Sequence, residues 1–253
     1  MAFRGHRHLP ARPRHPLQKQ NANLDDAEVP TVFKNRKLGR VKYMWEKVQT
    51  GFHLTNVHPM LGSHWPALGG HPGDKVFVPL CGKSLDLIYL MSQGYSVTGV
   101  ELSPIAIRQF LAEHDLKANQ TDIGGMPIYE VHGLRLIEGD FYQLSQETIG
   151  PVDAVYDRAA LIAMPPATQQ GYASQLMALT QATASILLIT FDYDPSEMVG
   201  PPFATPPDQV YRLFEDRYHV ERLEKLDALS DNPGLQNRGL TRLSETAWLL
   251  KPR

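Results

Sequence analysis

"KVFVPLCGKSLDL", residues 75–87, decides how this chain folds. "KVFVPL" is a short apolar run of the kind that forms a buried strand, and "SLDLIYLMSQG" has the spacing of a helix that stops at Gly94. Between them lies Gly82-Lys83-Ser84, the ending of a phosphate-cradling P-loop. That motif needs a first glycine five residues before Gly82, and Phe77 occupies the position, inside the strand. Only Pro79, Leu80 and Cys81 separate the strand from Gly82, too little chain to encircle a triphosphate. Lys83 then reads as a surface residue at a helix start, and Cys81 as a small buried filler.

The same strand–turn–helix also suits a nucleoside lying across the carboxyl ends of parallel strands. Such sites carry an acid about 20 residues on, which holds the ribose hydroxyls. "VTGVEL" supplies Glu101 at that distance, the end of a second strand. One glycine in "PLCGKS", in place of G-x-G-x-x-G, argues against a dinucleotide pyrophosphate and for a ligand without phosphate, such as S-adenosylmethionine. Further strand ends offer Asp140 in "EGDF", within reach of an adenine, and Asp157 with Arg158 in "YDRAAL". A solvated loop acid at Glu101, a turn cap at Asp140 and a surface ion pair at Arg158 are the plain structural alternatives.

Outward from this stretch, strands and helices alternate. "SPIAIRQFLAEH" is a helix with Ser103 as N-cap and Pro104 at its first position. "PIYEVHGLRLIEGD" reads as a hairpin around His132-Gly133. "VDAVYDRAAL" and "ASILLITFDY" are strands, "PATQQGYASQLMALTQ" and "PDQVYRLFEDR" helices. "YHVERLEKLDAL" and "TRLSETAWLL", with no clear helix between them, read as an antiparallel pair at one edge. The class is α/β, Rossmann-like, with a mostly parallel sheet. Before it, "VKYMWEKVQ" and "VHPMLGSHWPAL" read as short helices.

The chain has 253 residues, 42% hydrophobic and 21% charged, with a formal net charge of -2, so no charge excess points to nucleic acid or a membrane surface. One cysteine excludes disulfides and a cysteine-built zinc site, which suits a reducing cytoplasm. No run approaches the ~20 apolar residues of a membrane span. Residues 1–40 differ: Arg4, Arg7, Arg12, Arg14 and Lys19 precede any acid, and Pro10, Pro13, Pro16 and Pro30 break helix. This segment is expected to be a disordered basic, proline-rich extension, with His6, His8 and His15 in a solvated tail and no metal site. Residues 41–253 are expected to form a single domain.

"W-x6-FH" (Trp45, Phe52, His53), "HWPAL", "VPLCGKSLDL", "GYSVTGVELS", "EGDFY", "YDRAAL" and "GPPF" together resemble the thiopurine S-methyltransferase family over about residues 41–251. The resemblance implies a class I methyltransferase fold, seven strands with helices on both faces and the last strand antiparallel. It implies methyl transfer from S-adenosylmethionine, leaving S-adenosylhomocysteine, to a small thiol or chalcogen: an aromatic thiopurine-like thiol, sulfide or methanethiol, or a selenium or tellurium species. By position, Trp45, Leu80, Gly82, Glu101, Asp140 and Arg158 would contact the cofactor. Phe52, His53, Arg158 and Arg238 would contact the acceptor, Arg158 favouring its thiolate and Asp157 or His53 taking a proton. A monomer is implied. Where relatives carry W-x3-W, the first position here is Val41, with Tyr43 beside it. A nucleotide-dependent oxidoreductase and a catalytically silent S-adenosylmethionine-binding module remain the alternatives.

Overall fold

The structure, a computed structural model, describes residues 54–253. The N-terminal extension, the helix expected over "VKYMWEKVQ", and Trp45, Phe52 and His53 lie outside the described residues.

The described chain opens with helix α1 (Pro59–His64) and a 3-10 turn (Trp65–Leu68). Strand β1 (Lys75–Val78) follows, then helix α2 (Leu85–Ser92), where Ser84 caps the N-terminus by accepting the Asp86 N–H. Strand β2 (Ser96–Glu101) leads to helix α3 (Pro104–Glu113), capped as expected by Ser103, whose hydroxyl accepts the Ala106 N–H. Strands β3 (Asn119–Ile123), β4 (Met126–Val131) and β5 (Leu134–Glu138) come next. The predicted β4–β5 hairpin turns on His132 and Gly133, both at positive φ, the geometry of a two-residue type I′ loop. Short helix α4 (Gln146–Ile149), strand β6 (Ala154–Arg158), helix α5 (Pro166–Leu179) and strand β7 (Ser185–Asp192) continue the alternation. Helix α6 (Pro207–Phe214), strand β8 (Tyr218–Asp227), a single turn α7 (Pro233–Gln236) and strand β9 (Ser244–Pro252) end it.

Among the described residues the sheet has nine strands, in the order β3-β4-β5-β2-β1-β6-β7-β9-β8. The five central strands from β5 to β7 are parallel, and β9 runs antiparallel to both its neighbours. Eight of these strands are the ones read from the sequence, against the seven that the resemblance implies. The additional one, β3, pairs with β4 and extends one edge as an antiparallel ribbon. β3 escapes sequence reading because "NQTDI" is exposed at every position and carries no alternation of apolar residues. β8 and β9 do pair antiparallel, but β9 inserts between β7 and β8, so only β8 forms the edge.

Each sheet face buries its own core. One face packs against α1, α2 and α3 through Met60, Leu61, Trp65, Leu87, Ile107 and Phe110. The other packs against α5 and α6 through Tyr172, Leu176, Val210 and Phe214. From β1 the chain moves to β2 on one side and to β6 on the other. The strand order therefore reverses at the centre, where a ligand crevice opens at the carboxyl ends.

Candidate active site

The turn after β1 is built to present backbone. Leu80 and Gly82 both adopt positive φ, at 49° and 55°. Cys81 donates its N–H to the Val100 carbonyl at 2.9 Å, fastening the turn to β2. Beneath it, Gly99 is required by close approach: a Cβ there would meet the Cys81 sulfur at 2.7 Å and a Leu136 methyl at 3.0 Å. Cys81 is buried, and burial, then the nearby Glu101 charge, push its thiol well up, which makes it a packing residue and no nucleophile. Lys83 turns aside to pair with Glu113 at 2.5 Å, so the Gly-Lys-Ser sequence aims no ammonium at a phosphate.

Glu101 closes the turn. Its Oε2 accepts the Gly82 N–H at 2.9 Å and its Oε1 the Ser103 N–H at 2.7 Å. It is 6% exposed, and burial pushes its carboxyl up to about 6, against the opposing pull of the Ser103, Gly82 and Leu102 N–H groups. A carboxylate has about four lone-pair sites. The two well-formed backbone hydrogen bonds, one to each oxygen, leave lone pairs that vicinal ribose hydroxyls could use. This donor set, with no phosphate-binding cation in the turn, fits an adenosine-type ligand.

Asp140 follows β5 and caps a 3-10 turn (Phe141–Gln143), its Oδ1 accepting the Tyr142 N–H at 3.0 Å. The turn-cap alternative is therefore realised, on the same carboxyl edge as Glu101. Asp157 requires a correction. It is fully buried, with Oδ2 accepting the Tyr172 hydroxyl at 2.7 Å and Oδ1 the Leu161 N–H at 3.1 Å. Burial pushes its carboxyl up to about 6. A group with no exposed surface and a donor at each oxygen does not receive a proton from an acceptor. It anchors α5 and the loop after β6.

Arg158 is its opposite. Successive residues of a strand face opposite ways, so Arg158 emerges on the face of α1 and α2. It is half-buried, and its side chain makes no hydrogen bond or ion pair among the described residues. Its neighbour on that face is Tyr156, whose buried hydroxyl donates to Asp86 Oδ2 at 3.0 Å. Arg238, the other expected acceptor residue, is exposed and donates to the carbonyls of Val199 and Pro201, each at 2.8 Å. It braces the "GPPF" loop that stands beyond β7.

Sequence reading missed a cluster on Arg158's face. His58 donates its backbone N–H to Asp86 Oδ1 at 2.8 Å, and its ring Nε2 lies 3.0 Å from Glu245 Oε1. No spacing signal could find it, because His58 and Glu245 stand 187 residues apart. A cavity of about 630 Å³ opens at the opposite, amino-terminal edge of the strands, lined by Lys75, Lys117, Glu130 and Arg135 among others, and touches none of these residues.

Comparison with known proteins follows the same lines. The family model described as thiopurine S-methyltransferase matches residues 37–253. A thiopurine S-methyltransferase of Methylococcus capsulatus is 48% identical over 82% of this chain and 94% of its own length. One from Nitrosospira multiformis is 43% identical, over 83% and 95%. Among solved structures, the 1,6-didemethyltoxoflavin-N1-methyltransferase of Burkholderia thailandensis, which holds S-adenosylhomocysteine, superimposes with a TM-score of 0.57 at 16% identity, over 94% of this chain and 99% of that one. The YcgJ protein of Bacillus gives 0.54 at 11%, over 76% and 98%. These two likenesses are of fold alone.

Proposed function

This chain belongs to the thiopurine S-methyltransferase family and is an S-adenosylmethionine-dependent methyltransferase; on that premise we propose that its acceptor is a small thiol or chalcogen compound, bound as its anion against Arg158. The observation that carries this reading is the half-buried guanidinium at the carboxyl end of β6, which has no partner among the described residues. A partly desolvated cation without a counter-ion is costly to keep. An anionic acceptor offsets that cost, and the cation in turn lowers the acceptor's pKa, by about 1–3 units for an opposite charge at close range.

Glu101 would hold the cofactor's ribose, Asp140 its adenine side, and the Leu80–Gly82 backbone the turn beneath it. Trp45 and Phe52 would close over the ligand from the preceding segment, with His53 and Arg238 toward the acceptor. When bound, S-adenosylmethionine supplies a methyl group on a sulfonium, electrophilic without further activation. The protein's remaining work is alignment and ionisation: the rigid strand ends hold the acceptor in line, which is worth about 7–11 kcal/mol at best, and Arg158 stabilises its charge. The protein is proposed to act as a cytoplasmic monomer on small molecules. Among the described residues no helix is long and apolar enough to cross a membrane.

Arg158→Met tests the assignment in a methyl-transfer assay over a panel of thiols, hydrogen selenide and a nitrogen heterocycle. The wild type is expected to methylate the sulfur and selenium acceptors. The variant should lose about 10- to 100-fold in kcat/KM with an unchanged or higher Tm, because no partner among the described residues is stranded. A fall in Tm with kcat/KM intact would mean that Arg158 is structural. Stabilisation by S-adenosylhomocysteine without transfer to any acceptor would point to a silent binding module.

A further inference from the structure

Glu245 shares Arg158's face of the sheet. β6 sets Arg158 opposite Ile189 on β7, and β7 sets Phe191 opposite Glu245 on β9. Cross-strand partners point to the same side, so Tyr156, Arg158, Ile189, Phe191 and Glu245 all face the layer that carries α1. The Tyr156 hydroxyl reports this grouping, since the charges of Asp86, Arg158 and Glu245 all act on it.

The carboxylate is held on one side only. His58 Nε2 lies 3.0 Å from Oε1, and the side chains are 4% and 15% exposed. His58 Nδ1 is buried without a hydrogen-bond partner among the described residues. A buried ring N–H lacking an acceptor is expensive, so the imidazole proton belongs on Nε2, where it donates to Oε1. The histidine itself is pinned through its backbone N–H to Asp86, which Tyr156 holds in turn. Oε2 of Glu245 is left with no hydrogen bond among the described residues, on a side chain that still reaches the surface. The titratable and charged groups around it are His58 before α1, Asp86 on α2, Tyr156 and Arg158 on β6, and the His64–Glu224 pair that ties α1 to β8 at 2.7 Å.

We propose that Glu245 takes the proton from acceptors that arrive at Arg158 as neutral S–H or Se–H compounds, and that His58 is its positioning residue. This rests on the thiol or chalcogen reading above. As the acceptor's sulfur forms its bond to the methyl carbon, the S–H bond breaks and its proton passes to Glu245 Oε2, which keeps it until the acceptor has left and then yields it to solvent. The electron pair of the cleaved methyl–sulfur bond stays with the cofactor's sulfur, and nothing is oxidised or reduced. Asp157 is walled in on the other face and Asp86 has a donor on each oxygen, so among these carboxylates Glu245 is the one with an oxygen left to take a proton.

The test uses the full chain, wild type against Glu245→Gln, with an aryl thiol already ionised at pH 7 and a cysteine-like alkyl thiol that ionises near about 8.5. General-base contributions run about 10²–10⁴, so the alkyl-thiol kcat/KM is expected to fall at least about tenfold more than the aryl-thiol value. His58→Leu should produce the same skew, and His58→Gln, whose amide N–H still donates, should recover part of it. A second readout needs no turnover. With S-adenosylhomocysteine bound and the pH below the aryl thiol's pKa, thiol binding should release fewer protons to a weakly buffered solution in the wild type than in Glu245→Gln. An equal fall for both acceptors, with a lowered Tm and equal proton release, would overturn the proposal and leave Glu245 as a clamp on His58. A wild type that methylates neither thiol would overturn the acceptor reading beneath it.

Discussion

Glu101 shows how one side chain serves both fold and ligand. Buried at the end of β2, it spends one lone pair of each oxygen on backbone N–H groups. Its carboxyl is pushed up to about 6 from an ordinary 4.5. Between those two values the folded state keeps a proton that the unfolded chain has lost. The group's contribution to stability therefore falls as pH rises through that window and is level above it. Ribose hydroxyls donating to the remaining lone pairs favour the charged form. The stabilisation by S-adenosylhomocysteine should then grow from pH 5 to pH 7.5 by about 1.4 kcal/mol, a tenfold gain in affinity per unit. Glu101→Gln should weaken the gain and flatten its pH dependence in a melting series. A gain independent of pH in the wild type would separate Glu101 from the ligand. The spacing from Gly82 made this residue legible in the sequence, since a strand, a turn and a helix of ordinary length lie between them. Asp157 and Arg158 were legible as a strand end. Which of the two faces the site was not, because the pleat offers both sides of the sheet and only the helices packed on it separate core from crevice.

At the scale of elements, the site depends on how tightly the turn after β1 lies on β2. Gly99 and Cys81 meet there with no room for a methyl group. Gly99→Ala should cost about 1–3 kcal/mol, the usual penalty of overpacking, and should reduce the stabilisation by S-adenosylhomocysteine because Leu80 and Gly82 shift with the turn. Cys81→Ala removes the opposing sulfur. In a double-mutant cycle monitored by urea denaturation, the pair should be more stable than the sum of the two single changes predicts, by at least about 0.5 kcal/mol. Strict additivity would mean that the backbone, and not the sulfur, absorbs the strain. Local chemistry spoke clearly for these elements: Ser103 and Pro104 start α3, and His132-Gly133 closes the β4–β5 hairpin. It was silent for β3, whose exposed polar residues follow no pattern and whose pairing comes from the neighbouring β4.

The whole molecule is closed by its last strand. β9 lies between β7 and β8, with Thr246, Ala247, Trp248, Leu249 and Leu250 all buried, and the Trp248 ring N–H donates to the Thr190 hydroxyl at 2.9 Å. Removing residues 244–253 should abolish cooperative thermal unfolding followed by circular dichroism, although the deletion is terminal, because β7 and β8 would be left with unpaired inner edges. It would also remove Glu245. A cooperative melt at the wild-type temperature would mean that β8 re-pairs directly with β7. The strand–turn–helix of residues 75–92, the reach to Glu101 and the alternating α/β order were legible in the chain, because periodicity, caps and spacing act over a few tens of residues; the family was marked separately, by the resemblance of its motifs. It took the folded packing to show that β9 is interior, that Asp157 is walled in while the Arg158 side chain has no partner among the described residues, and that His58 meets Glu245 across 187 residues. Contacts of that span are selected by sheet order and by which face each helix covers, and no local stretch of chain encodes either.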